Sequence, residues 1–174
     1  AISSDTLAVG KDAKRFTAET ALSMFNPWIS GPHFYSIYGN DQVQKLKTEG
    51  FDEVPYGPST NYLGYGTSIP AGVPMDNADA VLQAAIDAGY VFKADTLAEL
   101  AEKMGLDPAA LEATVEAYNA ACEAGEDAEF GKDPKYLKPI TGAPYYGIIG
   151  SSWCYSTCGG LDVNEKFQVL NTEG

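Results

Sequence analysis

The sequence predicts a single α+β domain, with about three helices packed beside short strands. Three observations carry that prediction. Residues 77–88, 96–104 and 108–124 repeat apolar side chains at helical spacing, and each stretch is closed by capping residues and glycine. Short aromatic and β-branched runs at residues 34–38 (FYSIY) and 145–149 (YYGII) are bounded by glycine, proline or asparagine, as strands are. Strands and helices are segregated along the chain, whereas a parallel sheet would alternate them strictly. With 174 residues, one domain with a real core is expected.

Each element has a local cause. Residues 6–19 alternate loosely around Gly10-Lys11-Asp12, which predicts a short hairpin. Residues 41–48 predict a short helix, capped by Asn40 or Asp41 and stopped by Gly50. Residues 51–75 are dense in Gly, Pro, Tyr and Ser and read as one long loop. Asp76 or Asn77 opens the next helix, whose stripe is Val81, Leu82, Ala85 and Ile86 and whose stop is Gly89. A short strand follows at residues 90–93. Thr96 and Glu99 form a capping box at the head of a helix lined by Leu97, Leu100, Ala101 and Met104. Asp107-Pro108 starts the longest helix, because proline at the first helical position gives up no needed amide. Its stripe is Leu111, Val115, Tyr118 and Cys122. Residues 126–129 (EDAE) read as a solvated acidic turn, and residues 161–163 and 167–170 as a hairpin around Asn164-Glu165-Lys166.

Composition excludes several classes. Net charge is −13 with 11 basic residues, so a phosphate backbone would be repelled and nucleic acid is not an expected partner. Anionic membrane surfaces are disfavoured for the same reason. No apolar run reaches the roughly 18 residues of a membrane-spanning helix. Three cysteines, Cys122, Cys154 and Cys158, do not make a disulfide scaffold. The one histidine, His33, leaves a zinc site short of ligands, so no metal is expected. His33 follows Gly31-Pro32 and reads as a loop-packing histidine.

Five pieces in the run from Lys93 to Gly160 and just beyond carry a further signal: KADTLAELA, GLDPAALEATVEAYN, AGEDAEFGKD, APYYGI and TCGGLDVN. In order and spacing they resemble the FAD-dependent fumarate reductase/succinate dehydrogenase flavoprotein family, in its single-chain, flavocytochrome-like branch. The resemblance is strong over residues 91–170 and weak over residues 8–19. The matched part is the substrate-side capping domain. The resemblance therefore implies that residues 1–174 are a cap belonging to a larger FAD-dependent oxidoreductase, with the FAD-binding domain outside them. No complete G-x-G-x-x-G follows a strand; Gly64-Tyr65-Gly66 lacks the third glycine. The isolated chain is expected to bind no flavin tightly and to be inactive. Its expected partners are its own FAD-binding domain and a small-molecule substrate.

The family's mechanism implies site residues. The cap closes over the flavin ring, excludes water and supplies acid and carboxylate-binding groups, while hydride passes between flavin N5 and a substrate carbon. One family motif is R-F-x-x-E with a proton-donating arginine four residues further on. Arg15-Phe16-Thr17-Ala18-Glu19 matches, but Ser23 stands at the arginine position. A serine replaces neither the charge nor the fork of a guanidinium. The other motif is H-T-x-G-G, whose histidine binds a substrate carboxylate. Thr157-Cys158-Gly159-Gly160 matches, and Ser156 stands at the histidine position. Both departures remove cationic contacts, so a substrate other than plain fumarate is expected, less anionic and enone-like or aromatic.

On this reading Glu19, Ser23, Ser156 and Thr157 face substrate. Gly159 and Gly160 let the backbone approach the flavin. Tyr155 is the candidate proton donor. Arg15 and Glu19 also read as a structural ion pair, and that alternative stays open. So does a second function class, a non-catalytic interaction module using the tyrosine-rich loop at residues 51–75.

Overall fold

The computed structural model describes residues 5–19, 31–52, 71–151, 161 and 163–171. Strands β1 (Leu7–Val9), β2 (His33–Tyr38), β3 (Val91–Ala94) and β4 (Tyr145–Ser151) form one antiparallel sheet in the order β1-β2-β4-β3. The helices among the described residues are α1 (Asn40–Thr48), α2 (Ala78–Asp87), α3 (Leu97–Met104) and α4 (Pro108–Ala124). This is the α+β class that the sequence predicts.

The helix ends follow local chemistry. Thr96 Oγ1 accepts from the Glu99 amide at 3.1 Å, and Asp107 Oδ1 accepts from Ala110 N at 2.8 Å. Each occupies an amide donor that the first turn leaves open. Gly105 and Gly125 end α3 and α4 in the left-handed conformation, with φ of 71° and 69°. At α1 the cap lies one residue earlier than expected, at Gly39, whose amide donates to Gln42 Oε1 at 3.0 Å.

Register sorts the side chains onto two faces. Leu7 pairs with Ile37, Ile37 with Gly147 and Gly147 with Phe92, so these four share one face. That face packs on α3 and α4. Leu7, Val9, Ile37, Leu100, Met104, Leu111, Val115 and Tyr118 make the principal core there. Gly147 is glycine for a packing reason: a Cβ would run into the Met104 sulfur. Tyr35 Oη donates to Met104 O at 2.9 Å and ties the end of α3 to the sheet.

The opposite face carries Tyr38, Tyr146, Val91 and Ile148, with Val43 of α1 and Leu82, Ala85 and Ile86 of α2. The helices therefore flank the sheet from both sides, with α2 on the far side from α3 and α4. Val81, expected in the α2 stripe, is exposed. A helix that covers one sheet edge buries a narrower arc than one wedged between two elements.

Two expected hairpins are reduced to single bridges. After β1 the chain turns tightly, with Gly10 N donating to Lys14 O at 2.9 Å, and only Arg15 pairs back with Val9. Val163 likewise bridges Val169 across a turn in which Asn164 N donates to Gln168 O at 3.0 Å. His33 opens strand β2 and does not lie in a loop. Most of the 51–75 segment falls outside the described residues.

Candidate functional site

Around Glu19, the one expected site residue that is described, lies a buried cluster of four charges drawn from distant segments. The turn after β1 carries Arg15, and the chain runs on to Glu19. Helix α4 brings Tyr118, and the loop beyond its glycine stop brings Asp127 and Lys132. Arg15 grips Asp127 with both ends of its fork, Nη1 to Oδ1 at 3.0 Å and Nη2 to Oδ2 at 2.9 Å. It also donates to Glu19, from Nε to Oε1 at 3.2 Å and from Nη2 to Oε2 at 2.9 Å. The guanidinium lies between the Tyr118 and Phe130 rings, 5.1 and 4.9 Å from their centroids. Lys132 Nζ donates to Thr6 O and to Tyr118 Oη, both at 2.9 Å, and sits 3.3 Å from Glu19 Oε2.

The side chains of Arg15, Glu19, Asp127 and Lys132 are all at most 3% exposed. Two cations face two anions, so the cluster is neutral as a whole. That balance is what makes burial tolerable, because an isolated buried charge costs far more than a paired one.

The protonation states follow from the geometry. Burial alone would raise the Asp127 carboxyl, but the Arg15 fork and the amides of Lys132 and Phe130 outweigh it and hold it at about 2. Burial alone would lower Arg15, and its hydrogen bonds to Asp127 and Glu19 push it up instead. For Lys132 burial prevails over the Glu19 charge, and its ammonium titrates below the usual lysine range. Burial also raises the Tyr118 phenol. The cluster acts as an electrostatic bolt between the β1 turn and the α4 exit.

Asp127 is the residue that sequence reasoning missed. It lies within the acidic run read as a solvated turn, yet it is buried. Its Oδ1 also accepts from the Glu129 and Phe130 amides, and its Oδ2 from the Lys132 amide, so it shapes the loop it belongs to. The signal available was an aspartate two residues past a helix-stopping glycine, followed by a lone lysine.

The other exposed cations near the fold's grooves are already paired. Lys45 contacts Asp52 at 2.6 Å, and Lys138 lies 3.8 Å from the same carboxylate. They line a cavity of about 200 Å³ with Asp5, Asp41 and Tyr38. With carboxylates among its own walls, that cavity offers little to a dianionic ligand.

Of the residues expected at the site, only Glu19 is described, and it sits wholly buried in the cluster. The Arg15–Glu19 ion pair is formed. Ser23, Tyr155, Ser156, Thr157, Gly159 and Gly160 lie outside the described residues. Gly150, at the near end of β4, answers to packing: a Cβ there would meet the Phe34 ring. Cys122 is a half-buried free thiol beside Tyr118.

Comparison with known proteins decides the family. A family model described as an FAD binding domain matches residues 7–174. The chain belongs to the FAD-dependent fumarate reductase family. The cofactor that this family implies is FAD. A vinyl phenol reductase of Lactiplantibacillus plantarum is 29% identical over 97% of this chain, and the match spans 33% of that protein. The chain thus covers about a third of that relative's length. Among solved structures, a 3-ketosteroid Δ1-dehydrogenase of Sterolibacterium denitrificans superposes with a TM-score of 0.61 at 21% identity, over 97% of this chain and 30% of that one. A fumarate reductase flavoprotein subunit of Lactobacillus plantarum, solved in solution, superposes with a TM-score of 0.53 at 17% identity, over 89% of both chains. These two likenesses speak for the fold. No described helix of this flavoprotein-family chain is long and apolar enough to cross a membrane.

Proposed function

We propose that this chain is the substrate-side cap of a larger FAD-dependent oxidoreductase that reduces or dehydrogenates a carbon–carbon bond. One observation carries the reading: nearly the whole chain matches about a third of a reductase in a flavin-binding family. The flavin, when bound, supplies or takes up the hydride. This chain's residues do the rest. Ser23, Ser156 and Thr157 offer hydroxyls to the substrate, and Tyr155 delivers the proton. Gly159 and Gly160 give the backbone access to the flavin ring. Glu19 forms the buried edge of the substrate wall.

The substrate is an activated alkene less anionic than fumarate. Serine at both positions where the family motifs carry cationic groups supports this, as does a relative named for a vinyl phenol. A dicarboxylate bound without those partners would lose its charge-assisted hydrogen bonds.

The exposed apolar side chains of the C-terminal hairpin support a cap that rests on the remainder of its parent. Leu161, Val163, Phe167 and Val169 all stand in the open. They are the kind of surface that another part of the protein covers.

The test is alkene-dependent reoxidation of the reduced flavin in the intact flavoprotein. Uncharged or monoanionic activated alkenes are expected to outperform fumarate. If fumarate works as well as any acceptor, the assignment of Ser23 and Ser156 falls. The present chain by itself is expected to be colourless and to show no saturable binding at micromolar FAD, since the pyrophosphate cradle supplies most flavin affinity. A yellow chain with stoichiometric flavin would overturn the cap assignment.

A further inference from the structure

The cavity of about 200 Å³ beside α1 is framed by tethered parts from separate stretches of chain. Asn40 N donates to Gly142 O at 2.8 Å, Asp41 N to Thr141 O at 3.2 Å, and Thr141 Oγ1 to Asp41 Oδ2 at 2.7 Å. The head of α1 is thereby tied to the segment before β4. Asp5 is held from the other side. Gln42 Nε2 donates to its carbonyl, and the next residue, Thr6, is wholly buried, with Oγ1 donating to Ile37 O at 2.9 Å. The walls are in place before anything enters, and a preformed site loses little affinity to ordering.

Lining and charge together define what fits. Tyr38, Leu46, Phe51 and Pro139 give the cavity apolar walls. A dry cavity of about 150 Å³ already takes a benzene ring, so this one has room for a ring with a short substituent. The charges at its walls are unevenly satisfied. Asp52 holds Lys45 at 2.6 Å and reaches Lys138 at 3.8 Å, so one carboxylate engages both ammoniums. Asp41 has the Thr141 hydroxyl. Among the described residues, none donates a hydrogen bond to the Asp5 carboxylate; only its main-chain carbonyl is bonded. Burial and the Asp52 charge raise the Asp5 carboxyl above its ordinary value, and the pull of Lys138, Lys45 and Lys132 does not offset them. A carboxylate in that setting gains from a cation brought to it.

We propose that this cavity binds a small organic ammonium, its apolar body against Leu46 and Phe51 and its charged nitrogen donating to the Asp5 carboxylate. A primary ammonium brings three donors and no acceptor, which matches an acceptor-only partner. The net charge of −13 draws cations toward the chain. An anionic ligand would have to displace Asp52 from both lysines and approach Asp5 and Asp41 as well. The site goes beyond the flavoenzyme reading and does not depend on it, since Glu19, the one described residue of the expected substrate side, is not among the walls.

The experiment titrates this chain, labelled with nitrogen-15, with benzylammonium and follows its amide chemical shifts. A fumarate reductase flavoprotein subunit of like fold and extent was solved in solution, so the chain is tested as it stands. Benzyl alcohol, with the same ring and no charge, and benzoate, with the opposite charge, are titrated alongside. Benzylammonium is expected to give saturable shifts at Gln42, Lys45, Leu46 and Thr141, with a Kd of about 1 mM or tighter. Benzyl alcohol should bind at least about tenfold more weakly, because it leaves the Asp5 carboxylate without a cation. Benzoate should not bind. Asp5→Asn should weaken benzylammonium about tenfold. Glu112→Gln removes the same charge from the exposed side of α4 and should leave binding unchanged. The spectrum of each variant shows directly whether it is folded, and the comparison of probes on wild type decides without either variant. Absence of saturable shifts at these residues up to about 10 mM benzylammonium overturns the proposal. So do shifts spread over the acidic surface, equal weakening by the two variants, or benzyl alcohol or benzoate binding as tightly as benzylammonium.

Discussion

The cluster at Arg15 and the hairpin around Phe167 are both built on tight turns, and they complete their interactions in opposite ways. At Arg15, a short turn delivers a charge into the interior, where partners from α4 and its exit loop satisfy it. At Phe167, an equally short turn holds apolar side chains out into solvent. One region satisfies its side chains within this chain; the other leaves apolar side chains exposed. The same contrast runs through the sheet. Its α3–α4 face carries fully buried Leu100 and Leu111, while the α1–α2 face leaves Leu82, Ala85 and Ile86 half-exposed. Stability is therefore concentrated on one side of the sheet, and surfaces available to other chain segments lie on the other side and at the C-terminal hairpin.

Breaking the cluster should give the largest effect. Asp127→Asn removes one anion and leaves Glu19 as the one buried carboxylate facing Arg15 and Lys132, with the exposed Glu129 3.7 Å from Arg15. Loss of one partner from a buried pair costs about 3–5 kcal/mol. Urea denaturation of this chain, followed by far-ultraviolet circular dichroism, measures it. A cost below about 1 kcal/mol, the range of surface ion pairs, would mean that the cluster is solvated and the contrast with the hairpin is false.

The two faces of the sheet offer a matched pair. Leu111→Ala on α4 empties a fully buried site and should cost about 2–5 kcal/mol. Leu82→Ala on α2 removes the same atoms from a half-exposed site and should cost only about 1 kcal/mol, since less apolar area leaves water there. Equal costs in the same urea titration would show that the α2 face is packed as tightly as the α3–α4 face.

How much of this was legible in the sequence depends on range. The caps at Thr96 and Asp107 and the stops at Gly105 and Gly125 were readable because each is settled within four residues. The strands at residues 34–38 and 145–149 were readable for the same reason. The side of the sheet each helix would take was not, because a stripe says that a helix has a buried face and not what it faces. Val81 belongs to a good helical stripe and still points outward. Asp127 was illegible because its main partner, Arg15, is 112 positions away, and in isolation an aspartate among acidic neighbours resembles a solvated turn. Glu19 was legible as half of an ion pair from its spacing to Arg15, but not as a left-handed residue. The roles expected of Ser23 and of Tyr155 through Gly160 rest on motif resemblance alone.

Acid titration sharpens the cluster side of the comparison. Asp127 is held at about 2 against an ordinary value of 3.8. A carboxyl lowered on folding contributes stability that is complete above its unfolded value and lost as pH falls through the folded one. Just under two units corresponds to roughly 2 kcal/mol, to be lost between about pH 4 and pH 2. The melting temperature of wild type should fall over that window more steeply than that of Asp127→Asn. Parallel curves would mean that Asp127 has an ordinary carboxyl.

The smallest effect in this chain is expected at Phe167, and it is the most telling about the hairpin. The residue is 87% exposed and has a φ of 60°, so its side chain gains little burial while its backbone occupies a region that suits glycine or asparagine. Within this chain alone it is unfavourable in both respects. Phe167→Asn keeps the turn, in which Asn164 Oδ1 already accepts from the Lys166 and Gln168 amides. Its effect on the stability of this chain should stay within about 0.5 kcal/mol, the ordinary range for exposed positions. In the intact flavoprotein the same substitution should cost more, because burying a phenylalanine side chain is worth about 1.5–3 kcal/mol wherever a partner surface covers it. Paired denaturation curves of the two proteins make the comparison. A cost above about 1 kcal/mol in this chain would mean that the ring is already covered here. An equally small cost in both proteins would mean that nothing in the parent rests on the hairpin.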